Sequence, residues 1–106
     1  MGVPSRQLPS PTIDGALPPC KGYQRLDTTT LGASVGLTVP NNARIAIIQA
    51  EVAPVRWRAD GTDPTATVGM LIADGGEILY ATSEDGLAEL RFIRTSAGAL
   101  LNVSYY

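Results

Sequence analysis

No histidine occurs anywhere in the 106 residues. That removes the commonest general base near neutral pH and the commonest metal ligand. Only one cysteine is present, Cys20. A lone cysteine excludes an intramolecular disulfide and a cysteine-built zinc site, and it fits folding in a reducing compartment. No apolar run approaches the roughly 18 residues that a membrane-spanning helix needs. The N-terminus lacks the basic start and apolar core of a signal peptide, which predicts no export by that route. The net charge is −2 with 17% charged residues, so no global basic field draws nucleic acid or an anionic membrane. Catalytic groups are equally scarce. Thr28, Thr29 and Thr30 have no accompanying base, and Cys20 has a neighbouring Lys21 but no histidine to activate it. These absences predict a non-enzymatic protein with no cofactor, no metal, and neither nucleic acid nor membrane as partner.

What is present divides in two. Residues 1–21 form a proline-rich segment, with five of the eight prolines among the first 20 residues. Proline fixes φ and deletes a donor, so the segment is neither a helix interior nor a central strand. It reads as an extended arm with polyproline II character. Val3, Leu8, Ile13 and Leu17 are spaced along it. A stiff chain with spaced apolar anchors suits docking on another surface, because it loses little entropy on binding. The bland alternative is a tail without a role.

From residue 22 the texture changes to short β-segments separated by turns. Gly22–Thr30 reads as an edge strand and Ala33–Val39 as a weaker strand, with a turn at Pro40–Asn42. Ala43–Val52 is the strongest segment, since Ala46, Ile48, Ala50 and Val52 alternate on one face. Further strands are expected at Pro54–Ala59, Thr67–Leu71, Gly76–Ala81, Leu90–Ser96 and Ala99–Tyr106, with one short helical turn in Ser83–Glu89. Of these, Ala43–Val52, Val55–Ala59, Leu90–Thr95 and Ala99–Tyr105 are expected to be central, burying Ile48, Trp57, Phe92, Leu101 and Val103. This spacing predicts an all-β domain over residues 22–106, a small antiparallel β-sandwich or jelly-roll-like barrel.

The segment VRWRADGTDPT carries the most chemistry. Alternation places Val55 and Trp57 on one face, with Arg56 and Arg58 on the other, toward solvent or a partner. Asp60-Gly61 fits a tight turn with positive φ at the glycine, and Asp63-Pro64 restarts an extended stretch. The segment lacks the ligand spacing of a calcium loop. Asp60, Asp63, Asp74 and Asp85 therefore read as turn residues. Arg91 and Arg94 differ in parity, so they cannot join Arg56 and Arg58 in one basic face. Arginine is common at protein interfaces, which favours Arg56 and Arg58 as partner contacts.

The stretch ARIAIIQAEVAPVRWRADGTDPTATVGMLIADGGEILY, followed by LRFIRT and the terminal LNVSYY, resembles small virion structural proteins of tailed bacteriophages and prophages. The resemblance covers roughly residues 43–106. It lies in strand and turn texture and carries no catalytic residue. It implies a β-sandwich on the virion. The role it implies most directly is capsid decoration or cementing, with the protein bridging major capsid protein subunits as a homo-oligomer on the capsid surface after synthesis in the host cytoplasm. Two other readings remain open. One is a neck or tail component. The other is a carbohydrate-binding module using Tyr23, Tyr80, Tyr105 or Tyr106 as an aromatic platform.

Overall fold

A computed structural model describes residues 17–106, and these form an all-β structure of two antiparallel sheets. The strands are β1 (Gly22–Leu26), β2 (Ile45–Glu51), β3 (Val55–Arg58), β4 (Met70–Ile72), β5 (Glu77–Ala81), β6 (Arg91–Arg94) and β7 (Leu100–Tyr105). The larger sheet runs β1-β7-β2-β5 and the smaller β4-β3-β6. A short helix, α1 (Glu84–Ala88), joins β5 to β6, and a 3-10 turn spans Thr30–Gly32.

The period-2 pattern of β2 dictates its place. Ala46, Ile48 and Ala50 are fully buried, and the residues between them are partly covered. In β7 the buried set is Leu101, Val103 and Tyr105. Register pairs small with large across the two strands: Ala46 opposes Tyr105 and Ala50 opposes Leu101. The alanines leave the room that the bulky partners fill, which keeps the interior close-packed. Val55 and Phe92 from the smaller sheet join the same core, as do Leu31, Leu87 and Leu90 from the connections.

Several sequence expectations need correction. β1 ends at Leu26 rather than at Thr30, because the Asp27 carboxylate accepts from the Thr30 backbone N–H at 2.8 Å and starts the 3-10 turn. Side-chain capture of this kind competes with a strand ladder. The Thr30 hydrogen bonds hold the Asp27 carboxyl below its ordinary pKa. Ala33–Val39 is no strand. Val35 alone makes a bridge, exchanging two hydrogen bonds with Phe92. Beyond it, the Thr38 N–H is taken by the Gln24 side chain.

Val52 was expected to continue the buried face of β2. It is 62% exposed and has φ 74°, a left-handed conformation strained for a β-branched residue. The chain turns there to bring Ala53 and Val55 into the core. β6 is an edge strand rather than a central one. Asp85 sits in the first turn of α1 instead of a loop, because the Ser83 hydroxyl caps that helix by accepting from the Gly86 N–H at 3.1 Å.

Candidate functional site

Val3, Leu8 and Ile13 of the proposed arm lie outside the described residues. Leu17, the fourth anchor, is exposed, as are Pro18 to Lys21 leading into β1.

Arg56 and Arg58 do point to the face opposite Trp57, but their guanidinium groups are engaged within their own hairpin. Arg56 Nη1 donates to the Gly69 carbonyl at 2.9 Å and Nε donates to the Ala66 carbonyl at 3.3 Å. It thereby stitches β3 to the long connection before β4. Gly69 is required at this closure: its φ is 139°, and a Cβ there would lie 3.1 Å from the Trp57 carbonyl oxygen. Arg58 forms a two-pronged pair with Asp60, its Nε 3.1 Å from Oδ1. The pairing raises the Arg58 pKa and lowers that of Asp60, which also accepts from the Thr62 N–H. Gly61 follows with φ 78°, the tight turn expected from Asp-Gly. Asp63 accepts from the Ser34 hydroxyl at 2.8 Å, tying this loop to the segment before the Val35 bridge.

Arg91 and Arg94 are spent similarly. Arg91 opposes Arg58 across the sheet and donates to the Ala88 and Leu90 carbonyls. Arg94 Nη1 reaches the Thr28 carbonyl and hydroxyl. The four arginines therefore act as clamps on loops and form no shared basic patch.

Trp57 differs from its expected full burial. It is partly buried, packed against the core and in an edge-on contact with Tyr80, ring centroids 5.7 Å apart. Its indole Nε1 is buried with no hydrogen-bond partner among the described residues. A desolvated donor left unpaired costs roughly 1–3 kcal/mol. Trp57→Phe should therefore change stability by less than about 1 kcal/mol, because the lost ring area is offset by removal of that donor. Trp57→Ala should cost about 3 kcal/mol. Urea midpoints of the two variants against the parent check this; equal losses in both would refute the orphaned-donor account.

The tyrosines separate by environment. Tyr105 is buried and its hydroxyl donates to Gln24 Oε1 at 2.7 Å; burial pushes its pKa up to about 12. Tyr80 is partly buried against Trp57, and Tyr106 is also partly covered. Tyr23 is 61% exposed, and its hydroxyl donates to Asn102 Oδ1 at 2.5 Å. Of the four candidates for an aromatic platform, Tyr23 alone presents an exposed ring.

Two surfaces carry exposed apolar groups. On the outer face of the larger sheet, register aligns Tyr23, Ser104, Ile47 and Leu79 in one row across all four strands. The next row is polar: Arg25, Asn102, Gln49 and Glu77. Within it Asn102 Nδ2 donates to Glu51 Oε1 at 3.0 Å, and Arg25 lies 3.6 Å from the same carboxylate. That ion pair is exposed and contributes little. The second surface is the side where β4 and β5 diverge from the Ala73–Gly76 corner. Val68, Met70 and Leu71 are exposed there, and Met70 pairs with Trp57 across the smaller sheet.

A polar recess is lined by Asn42, Ala43, Arg44, Ser83, Glu84 and Asp85. The Asn42 N–H already occupies one Glu84 oxygen, at 2.8 Å. Among the described residues, no group of three or more Cys, Asp or Glu side chains is placed to hold a metal, and no helix is long and apolar enough to cross a membrane. Compared with known protein families, curated proteins and solved structures, the chain matches none.

Proposed function

We propose that this protein is a non-enzymatic virion structural protein of a tailed bacteriophage. It decorates and cements the capsid by bridging major capsid protein subunits, with residues 1–21 as the docking arm and residues 22–106 as a small β-sandwich. The observation that carries this reading is how the polar side chains are spent. Arg56, Arg58, Arg91 and Arg94, the loop residues Asp60 and Asp63, and the buried Tyr105 hydroxyl bond to their own chain, while Tyr23, Leu79, Met70 and Leu71 remain exposed on the sheets. Such a surface suits protein contact better than substrate chemistry. The sequence resemblance over residues 43–106 supports the virion setting. Many copies on repeated capsid sites would give avidity, so each contact can be modest.

The test has two parts. Quantitative mass spectrometry of purified particles should find copy numbers on the order of hundreds, as repeated capsid sites require. A count of about a dozen or fewer would place the protein at the neck or tail instead, where rotational symmetry limits copies. Deleting residues 2–20 should leave the domain folded but weaken its attachment to particles by at least roughly tenfold, since the apolar anchors go with the arm. Unchanged attachment of the truncated protein would move the contact to the sheets.

A further inference from the structure

We propose that β5 is a self-association edge, through which two copies of this chain join their larger sheets about a two-fold axis. The sheets have four edges, and three are guarded. β6 is covered by Val35, which exchanges both backbone bonds with Phe92. β1 is preceded by Pro18, Pro19 and Lys21 and carries Arg25, and its Gln24 side chain holds the Thr38 segment beside it. β4 is only three residues long. Charges, prolines, short length and covering segments are the usual protections of a strand edge. β5 has five residues, Glu-Ile-Leu-Tyr-Ala, with one charge and no proline, and it pairs only with β2 among the described strands.

The ladder fixes which backbone groups are free. Thr82 N donates to the Arg44 carbonyl, and Ala50 N donates to the Gly76 carbonyl. Antiparallel alternation then turns residues 76, 78, 80 and 82 toward β2. The N–H and C=O groups of Glu77, Leu79 and Ala81 face outward. No backbone or side-chain hydrogen bond to these outward groups is formed among the described residues.

This pattern is self-complementary. Two antiparallel β5 strands centred on Leu79 place Leu79 opposite its equivalent and Glu77 opposite Ala81 of the second copy. Every outward donor on these residues then meets an outward acceptor. The single charge on the strand faces an alanine, so like charges are not opposed. Leu79, 58% exposed, meets the second copy's Leu79, with Ile47 behind each. The Ile47–Leu79 pair of one outer face continues into that of the other. A two-fold contact of one patch with itself is the commonest form of oligomer closure.

The inference stands apart from the virion role and is tested on the free, full-length chain. An edge of this size makes a small interface, so dissociation is expected on the order of tens of micromolar. Sedimentation equilibrium from about 1 µM to about 1 mM should show the mass rising from 11.1 kDa toward the dimer value. Over the same range, the Glu77, Leu79 and Ala81 amides should become protected from hydrogen exchange. Leu79→Pro removes an N–H that β2 does not use, so the fold tolerates it while the two-fold centre does not. It should weaken association roughly tenfold or more. Leu79→Lys, which sets two ammonium groups face to face, should do the same without altering the backbone. Tyr23→Lys, on the opposite edge of the sheet, should leave the midpoint unchanged.

A monomer at every concentration overturns the proposal, as does a dimer indifferent to both Leu79 variants. Protection of the three amides in a monomeric sample also overturns it, because the edge would then be covered from within the chain by residues 1–16.

Discussion

Phe92→Ala is expected to unfold the domain or leave it barely folded. Phe92 is fully buried, faces Trp57 in register, and shares both of its backbone bonds with Val35. Its ring lies with that of Tyr105 in a core that is otherwise aliphatic and alanine-rich, with Ala43, Ala46, Ala50, Ala53 and Ala99 among the buried residues. Alanine methyls are fixed to the backbone and cannot reach in to fill a void, so a cavity would persist and the cost should be about 3–5 kcal/mol. A domain of this size has roughly 5–15 kcal/mol in total, usually toward the lower end. Circular dichroism and urea titration provide the measurement. Phe92→Leu should retain a cooperative transition at a lower midpoint, which separates lost packing from a lost fold. If Phe92→Ala melts with the parent's midpoint, the two sheets do not depend on one shared core.

Alkaline pH should destabilise the protein through Tyr105. In the unfolded chain this phenol ionises near its ordinary value of 10, whereas burial in the folded domain holds the proton to about 12. Between those values the folded state binds more protons than the unfolded state. Stability is therefore fully present below pH 10 and is lost as pH rises toward 12. The total loss is roughly 2–3 kcal/mol, from about 1.4 kcal/mol per unit of displacement. Stability measured by urea at stepped pH should fall across this window. Tyr105→Phe should flatten the fall, while lowering the starting stability by about 1 kcal/mol through loss of the bond to Gln24. Ultraviolet titration of the native protein should lose its late phase, near pH 12, in the Tyr105→Phe variant. A parent and a Tyr105→Phe variant with the same alkaline slope would count against it.

The parts of the fold that were legible in the sequence are those set by side-chain period. β2 and β7 show alternation over enough residues for the buried face to be unambiguous, and Ile48, Leu101 and Val103 are buried as that alternation requires, as is Phe92 of β6. What period cannot report is where a strand stops for a local reason. Asp27 ends β1 by capturing a backbone N–H, and Val52 ends the buried face of β2 by adopting positive φ. The short helical turn expected in Ser83–Glu89 forms, capped by Ser83, and it takes Asp85 out of the turn role that its Asp-Gly pair suggested. Trp57 keeps the predicted face but not the predicted depth, because β3 is central while its neighbour β4 has only three residues to cover the ring.

The candidate surfaces were less legible. Alternation separates Arg56 and Arg58 from Trp57, but it cannot show that both guanidinium groups are bound by their own loops. It also assigns faces rather than neighbours, so the exposed edge of β5 follows from strand order alone. Strand order depends on pairings distant in sequence, which local pattern does not encode.

The position of β7 has a consequence for the order of events during synthesis. β1 and β2 do not touch each other in the ladder; each pairs with β7, which lies between them. A nascent chain that has not yet extruded residues 100–105 can pair β2 with β5 but cannot complete the larger sheet, however long its earlier strands have been free of the ribosome. The apolar faces of β1 and β2 must wait, exposed, for β7. Such a chain has a long interval in which chaperone capture or misassociation competes with folding. Fragments ending before Ala99 should be recovered as aggregates or degradation products rather than as partly folded intermediates.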